Sequence, residues 1–148
     1  MYQHILIPTD GSALSDKAVR TAARLARVCN AKITALNVIP PYTEPVYSEG
    51  MAVVPSSSRK KYKDSTEQSA RRALGRVEAG ARSAGAPCSS TFVVGDKPWE
   101  SIIRVARSEK CDLIVMASHG RGGIAGLLLG SETQKVLTHS KIPVLVCR

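Results

Sequence analysis

Aromatic side chains are scarce in this 148-residue chain: one Trp, one Phe and four Tyr, 4% of the sequence. Proteins that grip single-stranded nucleic acid stack bases on several exposed rings, and few rings are on offer here. No apolar run approaches the ~18–20 residues of a membrane span. The apolar stretch behind Met1 is short and lacks the basic flank and cleavage site of a signal peptide, so a cytoplasmic protein is expected. Cysteines are few and scattered, at positions 29, 88, 111 and 147. They form no CxxC pair, and His4, His119 and His139 complete no zinc spacing with them. Four small buried thiols in a reducing compartment are expected, with no metal site.

Acidic residues are also in short supply, 12 against 21 Lys and Arg, for a net charge of +9. Such an excess invites a polyanionic partner. It is concentrated in residues 59–82, where Arg59, Lys60, Lys61, Lys63, Arg71, Arg72, Arg76 and Arg82 face only Asp64, Glu67 and Glu78. A solvated helix face is the first reading of that segment, and a polyanion-binding helix the second.

The length fits one domain over residues 1–148, large enough to fold without a staple. Strand and helix patterns alternate throughout. Strands are expected over residues 3–9, 32–39, 88–94, 111–117 and 142–147. Helices are expected over 12–29, 58–84, from Pro98 to Arg107, and over 131–140. Gly85 is placed to stop the second helix and Pro98 to open the third. Residues 40–57 form a long, proline-rich loop. Nearly unbroken apolar strands alternating with helices imply an α/β fold with a doubly wound, five-stranded parallel sheet in a three-layer α/β/α sandwich. Ligands of such sheets bind beyond the carboxyl ends of the strands, where the winding reverses. The ends of strands one, two and four are therefore the place to look.

Strand one runs into Pro8, Thr9, Asp10, Gly11 and Ser12. Asp10 accepts hydrogen bonds from a ligand amine, hydroxyl or adenine amino group, or else Asp10 or Ser12 merely caps the next helix; the two readings weigh evenly. Strand four leads into a glycine-rich stretch, 118–130, able to aim backbone N–H groups at an anion beside the helix that follows. Ser131 to Gln134 also fits a capping box, in which the hydroxyl serves only the helix. No lysine stands between Gly130 and Ser131, which excludes a P-loop. The G-x-G-x-x-A at 120–125 follows the wrong strand and has no acid about 20 residues on for a ribose.

These residues resemble the universal stress protein family over essentially the whole chain. The resemblance rests on Ile5 to Ser12, Asn37-Val38-Ile39, Gly95-Asp96, Asp112 to Gly120, Gly130-Ser131 and Pro143 to Val146. The nucleotide-binding branch of that family carries Gly, two residues, Gly, nine residues, then Gly-Ser/Thr. Here Ala117 replaces the first glycine, and Gly120 and Gly130-Ser131 keep the spacing. The resemblance implies a stress-response module that binds an adenine nucleotide. ATP is the expected one, with Mg2+ as an optional companion. Asp10 and Val38 would meet adenine, with Pro8 and Thr9 shaping the pocket floor. Ala117, Gly120, Gly130 and Ser131 would hold ribose and phosphates. Glu132 could offer its N–H while its carboxylate turns away. Arg121 is added by inference as a cation in reach of an outer phosphate.

No catalytic residue is assigned. Ser118 and His119 are sequence neighbours, which does not itself make a nucleophile and base, and the region lacks paired carboxylates. Binding with slow or no hydrolysis is expected. An apolar last strand at a sheet edge asks for a partner, and a two-fold homodimer through residues 142–147 is expected, as the resemblance also implies. A scaffold that binds no ligand is the remaining alternative.

Overall fold

The computed structural model describes residues 1–44, 56–119 and 129–148. The chain order is β1 (His4–Pro8), α1 (Ala13–Cys29), β2 (Lys32–Ile39), α2 (Ser56–Ala84), β3 (Cys88–Val94), α3 (Pro98–Ser108), β4 (Leu113–Ala117), α4 (Ser131–His139) and β5 (Val144–Cys147). The strands form one sheet in the order β3-β2-β1-β4-β5, and every neighbouring pair is parallel. The expected doubly wound α/β sandwich is the observed fold.

Side-chain alternation sorts the strands between two cores. Ile5, Ile7, Ile33, Ala35, Leu113 and Val115 pack against Ala18, Ala22 and Ala26 of α1 and Leu74, Val77 and Ala81 of α2. Leu6, Leu36, Ile114 and Met116 face the other way, onto Ile102, Val105 and Ala106 of α3 and Val136 of α4. Alanine dominates the helix positions of the first core, which lets α1 and α2 lie close to the sheet.

Three helices stop by the same device. Asn30 (φ 55°), Gly85 (φ 74°) and Lys110 (φ 55°) each adopt the left-handed conformation. The following N–H then reaches back into the last turn: Ala31 to the Ala26 carbonyl, Ala86 to Ala81 and Cys111 to Ala106, at 2.8, 2.9 and 2.8 Å. This is the Schellman arrangement. Each residue after the stop is buried, at 1%, 8% and 5% exposure, so the turn delivers an apolar group into the core before the strand begins.

That device explains one shifted boundary. Cys111 belongs to the stop of α3, so β4 begins at Leu113 rather than at 111. Asp112 is also diverted, since its carboxylate accepts the N–H groups of Gln3 and His4 at 2.8 and 2.9 Å. Gln3 is thereby held outside β1. Strand β5 starts at Val144 because Ser140 closes a turn on Ile142, its hydroxyl accepting the Ile142 N–H at 3.0 Å. Of the four cysteines only Cys111 is buried; Cys29, Cys88 and Cys147 are half-buried. Burial pushes the Cys111 thiol up to about 12, with Glu109 and Asp112 adding to the effect.

Burial alone would raise the Asp112 carboxyl, but the backbone N–H groups of His4 and Gln3 outweigh it and hold it below the usual carboxylate range. A carboxyl lowered on folding contributes stability above its unfolded pKa and loses it as pH falls through the folded value. Replacing Asp112 with alanine is expected to cost about 1–2 kcal/mol at neutral pH. Urea unfolding should show the gap to wild type closing as pH drops below the ordinary carboxylate range.

Candidate functional site

Strand β1 lies between β2 and β4, so the winding reverses at its carboxyl end. Thr9 extends the ladder there, its N–H donating to the Leu36 carbonyl at 2.8 Å. Its own carbonyl accepts the Asn37 side-chain amide at 2.8 Å. Its hydroxyl accepts the Gly11 N–H at 3.1 Å. Pro8, the last residue of β1, is half-buried, and Thr9 is buried. Asn37 is a polar residue in the middle of an apolar strand, and this clasp on Thr9 is its structural use.

Asp10 Oδ1 accepts the Ser12 N–H at 3.0 Å and the Ser15 hydroxyl at 2.8 Å. Ser12 is the N-cap of α1, its hydroxyl accepting the Ser15 N–H at 3.2 Å. The capping role therefore belongs to Ser12, and Asp10 is braced against the first turn with its carboxylate at the sheet's carboxyl edge. Val38, near the end of β2, is half-buried and packs on the α3–α4 core.

At the end of β4, Ala117 is buried. Its carbonyl accepts the Thr133 hydroxyl at 3.0 Å. The Ser118 N–H donates to the Cys147 carbonyl at 2.8 Å, and the Ser118 carbonyl accepts the Gly130 N–H at 2.7 Å. The start of α4 is thus fastened to the end of β4 by Gly130 and Thr133. Gly130 is the N-cap, with φ −70° and ψ 152° and no side-chain cap bond. Its backbone would suit any residue; the constraint is space. A Cβ there would lie 3.2 Å from the Ser118 oxygen and 3.3 Å from the His119 Cα.

The capping box expected from Ser131 to Gln134 does not form, because Ser131 is already helical and exposed. The first N–H groups of α4 consequently lack a side-chain partner of that kind. Glu132 points elsewhere. Its Oε2 accepts the Trp99 N–H at 2.9 Å and its Oε1 accepts the Lys135 ammonium at 3.2 Å. It thereby supplies the start of α3 with a cap that Lys97 does not provide. Gly120 and Arg121, with most of the glycine-rich stretch and residues 45–55 of the proline-rich loop, lie outside the described residues.

Ser118 and His119 do meet, hydroxyl to Nδ1 at 3.1 Å. Ser118 is 1% exposed, too deeply buried to act as a nucleophile on a substrate. The contact was not legible from adjacency, because the turn after β4 decides it.

The basic helix also changes meaning. It is more than a solvated face, because α2 reaches the carboxyl ends of the strands. A crossover helix begins at the edge its strand leaves, and here Tyr62 donates its hydroxyl to the Pro40 carbonyl, just past β2, at 2.8 Å. At 29 residues the helix is about 44 Å long, against about 23 Å for a seven-residue strand. Its fully buried side chains start at Ala70, so the Arg59–Lys63 end rises past the sheet. Arg76 reaches the β1–α1 turn itself, donating to the Gly11 carbonyl and pairing with Asp16 at 3.4 Å. The carboxyl edge therefore gathers the N-termini of α1 and α4 and part of the basic face, all favourable to an anion.

Residues 1–148 match the Universal stress protein family. The chain belongs to that family. A universal stress protein of Thermus aquaticus is 31% identical over 152 residues, with all of both chains covered. One from Methanocaldococcus jannaschii is 29% identical over 148 residues, covering 100% of this chain and 83% of the relative. Among solved structures, a universal stress protein in complex with cAMP is 28% identical, covers 99% of this chain and 97% of its own, and superposes with a TM-score of 0.72.

Proposed function

We propose that this universal stress protein binds an adenine nucleotide, ATP foremost, at the carboxyl edge between β1 and β4, and acts as a nucleotide-dependent stress-response module. One observation carries the reading: Gly130 seats an α4 start without a side-chain cap against the end of β4, across the switch point from the braced carboxylate of Asp10. Helix N–H groups of this kind suit phosphate, and a carboxylate suits the adenine amino group. The solved relative with cAMP supports the ligand class. In this reading Pro8 and Thr9 floor the pocket, Asp10 and Val38 meet adenine, and Ala117, Gly120, Gly130, Ser131 and the Glu132 N–H hold ribose and phosphates, with Arg121 toward the outer phosphate. No group of three His, Cys, Asp or Glu among the described residues could hold a metal, so Mg2+ would arrive with the ATP phosphates. Mass spectrometry of nucleotide released by denaturing freshly purified protein tests the reading. ATP or AMP supports it; an empty protein that also ignores added nucleotide favours the scaffold alternative.

The homodimer is proposed through β5, an edge strand whose Leu145 is 37% exposed. The opposite edge, β3, exposes Ser89 and Ser90 along its length and Val94 at its end. Light scattering should give twice the chain mass, and Leu145→Asp should give the monomer; a wild-type monomer at all concentrations would refute the dimer.

A further inference from the structure

The α3–α4 layer lies across the sheet from α1 and α2. On its surface is an open cavity of about 580 Å³, lined by Trp99, Glu100, Ile103, Arg104, Arg107 and His139 among others. Helical spacing builds it. Trp99 and Ile103 are one turn apart on α3 and share a stripe, and Glu100, Arg104 and Arg107 follow on the next. Ile103 is buried, Trp99 is half-buried and both arginines are exposed.

The chain has a single Trp, and it stands fixed at this surface. Its backbone N–H donates to Glu132 Oε2 at 2.9 Å. Its ring packs on the His139 ring, with centroids 4.7 Å apart and planes 31° from parallel. A side chain already held in place loses little freedom when a partner covers it, and Trp and Arg are the favoured anchors of protein interfaces.

The charges decide what covers the groove. Glu100 is the acid of the lining, and the Lys97 ammonium holds it at 3.1 Å. Arg104 and Arg107 have no ion pair or hydrogen bond to any described residue. Like charges at this spacing repel. A carboxylate lying across them would remove that repulsion and accept hydrogen bonds from both guanidinium groups. Trp99 and Ile103 ask for an apolar side chain beside that carboxylate. An acid with an apolar neighbour is what a polypeptide supplies, and the groove is too open to enclose a small molecule. Nucleic acid fits less well, since one Trp–His pair offers no run of rings for successive bases.

We propose that this groove docks an acidic segment of a partner protein, with a carboxylate across Arg104 and Arg107 and a neighbouring apolar side chain on Trp99 and Ile103. One groove of this size makes a transient contact rather than a permanent one. None of the lining residues named here belongs to the nucleotide site proposed above, so a failure here leaves that reading intact.

The test selects a displayed library of random peptides on the wild-type chain, with Arg104→Glu/Arg107→Glu as counter-selection. Both positions are exposed, so the variant should fold, which its melting temperature checks. Recovered peptides should carry Asp or Glu beside an aliphatic residue or Phe. Those without Trp are then titrated by Trp99 fluorescence, which reads contact at the groove itself. Wild type should give a saturable change that weakens with salt. Arg104→Ala and Arg107→Ala should each weaken binding roughly tenfold, the loss of one hydrogen bond to a charged group. A peptide with its acids exchanged for lysine should prefer the double-glutamate variant to wild type, a reversal that structural damage does not produce. Failure to recover acidic peptides would overturn the proposal. So would affinities unchanged in both alanine variants, or binding without a Trp99 response. A single-stranded oligonucleotide that displaces the peptides and needs the same two arginines would assign the groove to nucleic acid and overturn it as well.

Discussion

Replacing Gly130 with valine should weaken ATP or AMP binding on the order of a hundredfold. The new side chain meets backbone, the Ser118 carbonyl oxygen at 3.2 Å and the His119 Cα at 3.3 Å from Cβ. Neither belongs to a flexible side chain that could swing aside. The start of α4 must therefore shift by a few tenths of an ångström at its Cβ, and further to seat the γ-methyls, straining the 2.7 Å bond from the Gly130 N–H to Ser118 and displacing the N–H groups proposed to hold phosphate. Two hydrogen bonds to a charged group, at about 1.5 kcal/mol or more each, amount to roughly 3 kcal/mol, which sets the hundredfold. Overpacking should also lower stability by about 1–3 kcal/mol, so binding is to be measured well below the melting point. Gly75 supplies the control. A Cβ there meets nothing within 4 Å, and Gly75→Ala should leave affinity unchanged while slightly strengthening α2. Tight binding by the Gly130 variant would show that the α4 start does not contact the ligand.

The second large effect is on base selection. Asp10→Ala should lower AMP affinity by roughly tenfold or more, the loss expected for a hydrogen bond to a charged acceptor. Some stability should go with it, because Oδ1 also holds Ser12 and Ser15. Asp10→Asn separates the two roles. An asparagine oxygen can keep the Ser12 and Ser15 bonds, so the fold is preserved, but the charge is gone. Inosine monophosphate carries an oxygen where AMP carries the amino group. A carboxylate attracts the amine and repels that oxygen; a neutral amide, with donor and acceptor at hand, discriminates far less. The AMP-to-IMP affinity ratio should therefore collapse in Asp10→Asn while the melting temperature stays near wild type. An unchanged ratio would remove Asp10 from the base pocket.

Much of this fold could be read from the chain because its signals are local. Apolar runs such as Ile5 to Ile7 and Leu113 to Met116 mark strands buried on both faces, and Gly85 marks the end of α2 as a left-handed stop. Lys110 occupies the same conformation without a residue type that announces it, so the start of β4 was misplaced by two residues. Of the proposed site, spacing in the sequence marks Gly130-Ser131 after β4. Contacts that join distant segments were not legible. The capping box of Ser131 is a valid local pattern, yet the Gly130–Ser118 bond draws the helix start one residue earlier and undoes it. Arg76 looked like one more cation on a solvated face; only the crossover geometry brings it to Gly11. Glu132 was expected to turn from the phosphate site, and its carboxylate is turned onto α3, although no local rule names Trp99 as its partner.

Backbone amide chemical-shift mapping with ATP tests the central claim most directly, because it reads binding and location together. The account predicts saturable shifts concentrated at Asp10, Val38, Ala117, Ser118 and Gly130 to Glu132, with smaller ones at Arg76. Shifts confined to the basic residues of 59–82, or none at millimolar ATP, would contradict it.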